Sequence, residues 1–189
     1  MSGRVVNLKC DELGDAVYVG RKNNRRGLAE SAFANPYVVD VDGTRDDVIE
    51  KFRQHVLGQP ELLRRLHELR GRRLACWCKP LPCHGDVLVE LVDADQVLDD
   101  LAAAGVAVEA VDGRLRLSPP SAVDAALKAR VAAHKPAILS LLAKRPDAET
   151  LWRQAVELVA ERLKLPPDVL EAARSARVRW VPAERLKDR

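Results

Sequence analysis

Short apolar runs and helical stripes alternate along the chain. Arg4–Lys9 (RVVNLK) and Ala16–Gly20 (AVYVG) are brief and rich in β-branched residues, which predicts two strands. Arg21–Gly27 (RKNNRRG) is a basic loop. After the Asn35-Pro36 break, Tyr37–Val41 predicts a further short strand. Thr44 is an N-cap, with Asp46 and Asp47 suited to the first turn of a helix carrying Val48, Ile49, Phe52, His55 and Val56 on one face. Pro60 opens a second helix with Leu62, Leu63, Leu66 and Leu69 inward, and Gly71 ends it. Arg73–Cys78 (RLACWC) is a strand, Pro80 and Pro82 force a loop, and His84–Leu91 is a helix burying Val87, Leu88 and Leu91.

The pattern then becomes mainly helical. Ala94–Ala104 is an amphipathic helix stopped by Gly105. Val106–Val111 and Arg114–Leu117 flank Asp112-Gly113, a strong hairpin signal. Helices over 121–132, 134–143, 147–163 and 168–175 follow, before a VRW run and a charged tail. Trp152 and Trp180 are expected to pack these terminal helices. The expected class is α/β or α+β: a small three- or four-stranded sheet with helices, plus a mainly helical C-terminal module with one hairpin. The expected modules are 1–93, 94–145 and a helical extension over 146–189.

Composition sharpens that division. Both Phe, both Tyr, all four Cys and eight of the ten Gly precede Asp93. Charge does not separate the halves: 15 basic and 13 acidic side chains lie in 1–90, and 16 and 15 in 91–189. Aromatics make up only 4% of the 189 residues, too few for a stacking platform that binds single strands generally. No run of 18 apolar residues occurs and the N-terminus lacks a signal-like apolar region, so a cytoplasmic protein is expected.

Cys76, Cys78 and Cys83 fall within eight residues, and His84 follows directly. In a reducing compartment such clustering points to metal or catalysis rather than disulfides. Cys76 and Cys78 are two apart on a predicted strand, so their thiols share a face and Trp77 takes the other. Cys83 and His84 begin the next helix. Three readings follow. Cys76, Cys78, Cys83 and His84 could hold zinc, with Cys10 able to replace one of them. Alternatively, Cys83 at a helix N-terminus could be a nucleophile, with His84 or Asp86 as its acid–base partner. The cysteines could also be plain packing residues. Arg21, Lys22, Arg25 and Arg26 on the basic loop, with Asn35, are candidates to bind a phosphate-bearing ligand, and Asp86 to orient His84.

These motifs carry a resemblance. The runs VVNLK, VYVGR, ANPYVV, GTRDDVIEKFR and ELRGRRLACWCKPLPCHGDVLVEL together resemble domain-of-unknown-function family 4326, found in bacteria and phages, over about residues 4–92. Its pattern falls on Tyr18, Gly20, Arg21, Asn35, Pro36, Cys76, Trp77, Cys78, Pro82, Cys83, His84, Gly85 and Asp86. Before Asn-Pro the family usually carries Ser-Lys-Trp-Gly; here Phe33 stands in for the aromatic. The family brings no established activity. The stretch VLDDLAAAGVAVEAVDGRLRLSPPSAVDAALKARVAAHKPAILSLL, within about 95–142, resembles the TubC N-terminal docking domain. That resemblance implies recognition of short segments at the ends of partner chains.

The expectation is a two-module cytoplasmic protein. It binds a nucleotide or nucleic-acid-related ligand through a Cys/His site, with zinc as the cofactor, and docks a protein partner through its C-terminal half. The alternatives are a thiol-dependent transferase or hydrolase acting on a nucleotide, and a pure adaptor with a structural metal site.

Overall fold

Strand β1 (Val5–Asn7) and strand β2 (Val17–Tyr18) form inside the two N-terminal apolar runs, each shorter than its run. The structure, a computed structural model, describes residues 5–144 and 148–175. Trp180, the VRW run and the side chain of Trp152 lie outside the described residues. After β2 the basic loop makes one 3-10 turn, Asn24–Arg26, closed by the Asn23 side chain. Helix α1 (Arg45–Leu57) starts where Thr44 accepts from the Asp47 N–H and Asp47 accepts from the Thr44 N–H, a reciprocal cap. Helix α2 (Pro60–Arg65) begins on its proline and tightens into a 3-10 turn over Leu66–Leu69. Strand β3 (Leu74–Cys76) then leads through a proline turn into helix α3 (His84–Ala103).

The hairpin forms as its Asp-Gly predicted: β4 (Ala107–Val111) pairs antiparallel with β5 (Arg114–Ser118). Asp112 and Gly113 both have positive φ, 49° and 69°, as the tight primed turn requires. Helices α4 (Ala125–Ala133) and α5 (Lys135–Lys144) follow. Met1–Lys144 form one compact unit and Arg145–Arg189 a second. In the second, α6 (Ala148–Leu163) and α7 (Pro167–Ser175) pack together and bury Val156 and Ala160. The fold is mixed α+β, and mostly helical in its C-terminal part. No helix among the described residues is long and apolar enough to cross a membrane.

The first sheet has three strands in the order β1-β3-β2, both outer strands parallel to β3. Alternation sorts its side chains between two clusters. Leu74 and Cys76 join the main core, while Val6 and Ala75 join a small cluster with Leu8 and Ala16. The alternation outlasts the strand: Cys78 packs on the main core and Trp77 on the small cluster. Both thiols therefore share one face, although β3 ends at Cys76 rather than Cys78.

Two expectations need correction. Tyr37–Val41 is not a strand, because its backbone groups are already engaged. Arg21 donates to the carbonyls of Asn35 and Tyr37, and the Asp42 carboxylate accepts the Val38 N–H at 2.7 Å. The carbonyl of Val38 takes the N–H groups of Val41 and Asp42. The helices expected over 84–91 and 94–104 are one helix, α3. Val92 and Asp93 contain no breaker, and the buried stripe runs unbroken through Leu88, Leu91, Ala94, Leu98 and Leu101. One core results. Phe52, Leu74 and Leu88 belong to the same buried cluster as Val97, Leu101, Ile138 and Leu141.

Candidate metal centre and the adjoining cavity

The thiols of Cys76, Cys78 and Cys83 and a ring nitrogen of His84 lie within 4.8 Å of one another. Strand alternation brings in the first two. Cys83 and His84 are neighbours in sequence, and a change of backbone conformation lets both point to one place. Cys83 is the extended N-cap of α3 (φ −134°, ψ 143°), and His84 is its first helical residue. Gly85 makes the approach feasible, since a Cβ there would sit 3.1 Å from the Val5 methyls and 3.5 Å from the Cys83 sulfur.

The separations suit a tetrahedral ion. Cys76 Sγ and Cys78 Sγ are 3.6 Å apart, and His84 Nδ1 is 3.8 Å from both Cys76 Sγ and Cys83 Sγ. Bond lengths of about 2.3 Å to sulfur and about 2.0 Å to nitrogen give tetrahedral edges of roughly 3.8 Å between sulfurs and roughly 3.5 Å from sulfur to nitrogen, within a few tenths of an ångström of these separations. The orientation of His84 fits as well. Its Nε2 is 2.8 Å from the Val19 carbonyl, which can only accept, so Nε2 carries a proton and Nδ1 is the nitrogen turned towards the sulfurs, free to coordinate an ion that displaces its own proton. Phe52 meets the ring edge-on at 5.0 Å and holds its plane.

The charges are tightly linked. Hydrogen bonds from Cys78 and Cys83, with His84 close by, drive Cys76 towards thiolate. Its contacts with Cys76 and Cys78, together with burial, push the Cys83 thiol up. Burial disfavours imidazolium at His84, but hydrogen bonding to Cys76 and Cys78 outweighs it and raises His84 to about 9. The Gly85 N–H also donates to Cys83 Sγ at 3.3 Å.

No hydrogen bond joins Asp86 to His84. The Asp86 carboxylate accepts the Cys83 N–H at 3.0 Å and pairs with Lys79 at 2.7 Å, capping α3 and tying down the proline turn. Val19, through its carbonyl, is the residue that orients His84. Cys10 is exposed and outside the cluster. Sequence reasoning missed Asn7, a buried side chain whose amide donates to the Lys79 carbonyl and fastens the turn to β1. Its one signal was a polar residue ending an apolar strand.

A cavity of about 360 Å³ opens beside the cluster, and Cys76, Cys78 and His84 form part of its wall. Cys83 is 1% exposed and is not among the lining residues. The cavity sits where β2 and β3 end and α1 and α3 begin, the usual position for a ligand beyond the carboxyl ends of parallel strands. Arg21 and Asn35 line it as expected. Both also have structural bonds: the Asn35 amide donates to the Val48 carbonyl at 3.2 Å and its oxygen accepts the Tyr37 N–H at 2.9 Å. Arg25 and Arg26 do not line this cavity; both are exposed, and Arg26 lies 5.2 Å from the centre of the Trp77 ring. Lys22, expected from the same loop, does line it, and so does Arg45. Arg45 escaped sequence reasoning because it looked like an ordinary first residue of α1. Phe33 is buried in the main core and does not line the cavity.

Residues 6–94 match the family model described as domain of unknown function (DUF4326), and residues 95–144 match that of the TubC N-terminal docking domain. The boundary between the matches falls inside α3. Among curated proteins, the chain is similar to an uncharacterized 12.4 kDa protein in the nrdA-td intergenic region of Enterobacteria phage T4. The two are 38% identical over 70 residues, which is 35% of this chain and 65% of the phage protein. No solved structure matches significantly.

Proposed function

From a chain that joins a domain of the unknown-function family 4326 to a TubC-type docking domain, we propose a zinc-braced binding protein. Cys76, Cys78, Cys83 and His84 hold one zinc ion. The ion clamps the end of β3 to the start of α3 and so shapes the cavity between them. The cavity takes an anionic nucleotide or nucleic-acid-derived ligand, and residues 95–144 dock a partner protein. The observation that carries this reading is the His84 ring, with Nε2 bound to the Val19 carbonyl and Nδ1 aimed into three sulfurs.

Four protein ligands close the coordination sphere, so the zinc is structural. This arrangement favours metal over a free thiol nucleophile. Cys83 is buried, its thiol is pushed up, and it is not among the residues lining the cavity. Metal analysis of freshly purified full-length protein tests the reading. One zinc per chain is expected; less than about 0.2 per chain with all thiols free refutes it.

A further inference from the structure

The same cavity has a composition that narrows its ligand. Three cations line it (Arg21, Lys22 and Arg45), and no Asp or Glu is among the described lining residues. Arg21 is engaged with the backbone carbonyls of Asn35 and Tyr37. Lys22 and Arg45 have no carboxylate partner among the described residues, and Arg45 makes only a long contact, 3.4 Å, to the Pro82 carbonyl. Arg45 also stands at the N-terminus of the 13-residue α1, where the helix dipole favours negative charge.

The rings are as unevenly distributed as the charges. The chain has two tyrosines and three tryptophans, and both tyrosines and Trp77 line this one cavity. Two of the rings are fixed in advance. Trp77 Nε1 donates to Tyr18 Oη at 3.0 Å, and Tyr18 Oη donates to the Arg21 carbonyl at 2.5 Å. Such bracing lowers the ordering cost of binding a flat ligand. The volume of about 360 Å³ lies at the small end of the roughly 300–1,000 Å³ typical of small-molecule sites.

We propose that the cavity binds a single nucleoside monophosphate, with Lys22 and Arg45 on the phosphate and the Tyr18–Trp77 pair beside the base. The proposal rests on the zinc-braced pocket above and narrows its ligand to one nucleotide unit. Arg21 is a positioning residue that holds the loop carrying Lys22. The base is left unnamed because rings stack on any base.

The test is calorimetric titration of zinc-loaded full-length protein. The probes are AMP, GMP, CMP and UMP, the matching nucleosides, inorganic phosphate, and a short single-stranded DNA without terminal phosphates. At least one monophosphate should bind, with its nucleoside and inorganic phosphate each weaker by about tenfold or more. Arg45→Ala and Lys22→Ala should each weaken the monophosphate by about tenfold and leave the nucleoside nearly unchanged. Lys22 is exposed, so its variant carries the test if Arg45→Ala lowers the melting temperature. Equal affinity for monophosphate and nucleoside overturns the phosphate assignment. Binding of the single strand with no monophosphate binding overturns this proposal but leaves the broader ligand reading in place. No binding by any probe to zinc-loaded protein overturns both.

Discussion

Ile138 offers a way to ask whether the docking segment is a separate body. It is fully buried on α5, which packs on α3, and it belongs to the same core cluster as Phe52 and Leu74. Ile138→Ala removes three buried carbons and leaves a cavity, at a cost of about 2–5 kcal/mol. For a unit of this size each kcal/mol moves the midpoint by roughly 2–4 °C, so a fall of about 4–20 °C is expected. The informative question is where the fall is felt. In a Trp152→Phe/Trp180→Phe background Trp77 is the only tryptophan, and it sits beside the Cys/His cluster, directly after β3. Thermal unfolding followed by Trp77 fluorescence should shift as far as unfolding followed by circular dichroism, in one transition. A Trp77 midpoint that stays at its original value while a second transition moves down would refute the single core.

Cys10→Ser should keep the full metal content, because Cys10 is exposed and outside the cluster, whereas Cys76→Ser should lose most of it; elemental analysis of the two proteins side by side checks this. Acid should act in two steps. The carboxyls of Asp15, Asp47 and Asp100 are held below the usual range by hydrogen bonds from Arg73, Thr44 and Arg130 respectively. A depressed folded-state pKa contributes stability above the unfolded value, and that stability is lost as pH falls through the folded value. In metal-free protein the carboxylate contribution should therefore hold down to about pH 4 and decline below it. Metal bound by thiolates is released at higher pH than that, so a zinc-binding dye should report release before the carboxylate loss begins.

Much of the local structure was legible in the sequence because the determinants are local. Thr44 and Asp47 cap α1 through neighbouring groups, and Asp112-Gly113 fixes the hairpin by its own backbone preference. The grouping of Cys76, Cys78, Cys83 and His84 followed from strand alternation and a helix start. What remained hidden depends on distant partners. Tyr37–Val41 has strand-like residues, but Arg21 and Asp42 take its backbone groups. The Val19 carbonyl that orients His84 is 65 positions away, and a backbone atom leaves no trace in residue type. The change in composition near Asp93 is real, yet nothing there breaks a helix, so α3 runs across it and the core stays continuous. Of the four basic loop residues, Arg21 and Lys22 line the cavity and Arg25 and Arg26 do not, and Arg45 joins the wall from α1; tertiary folding decides this, not residue type.

X-ray absorption at the zinc edge on the purified protein reads the ligand set itself. A closed site gives three sulfur neighbours at about 2.3 Å and one imidazole nitrogen at about 2.0 Å, with no oxygen in the coordination sphere. A sphere containing water, or one with two sulfurs or fewer, would contradict a closed site built from Cys76, Cys78, Cys83 and His84.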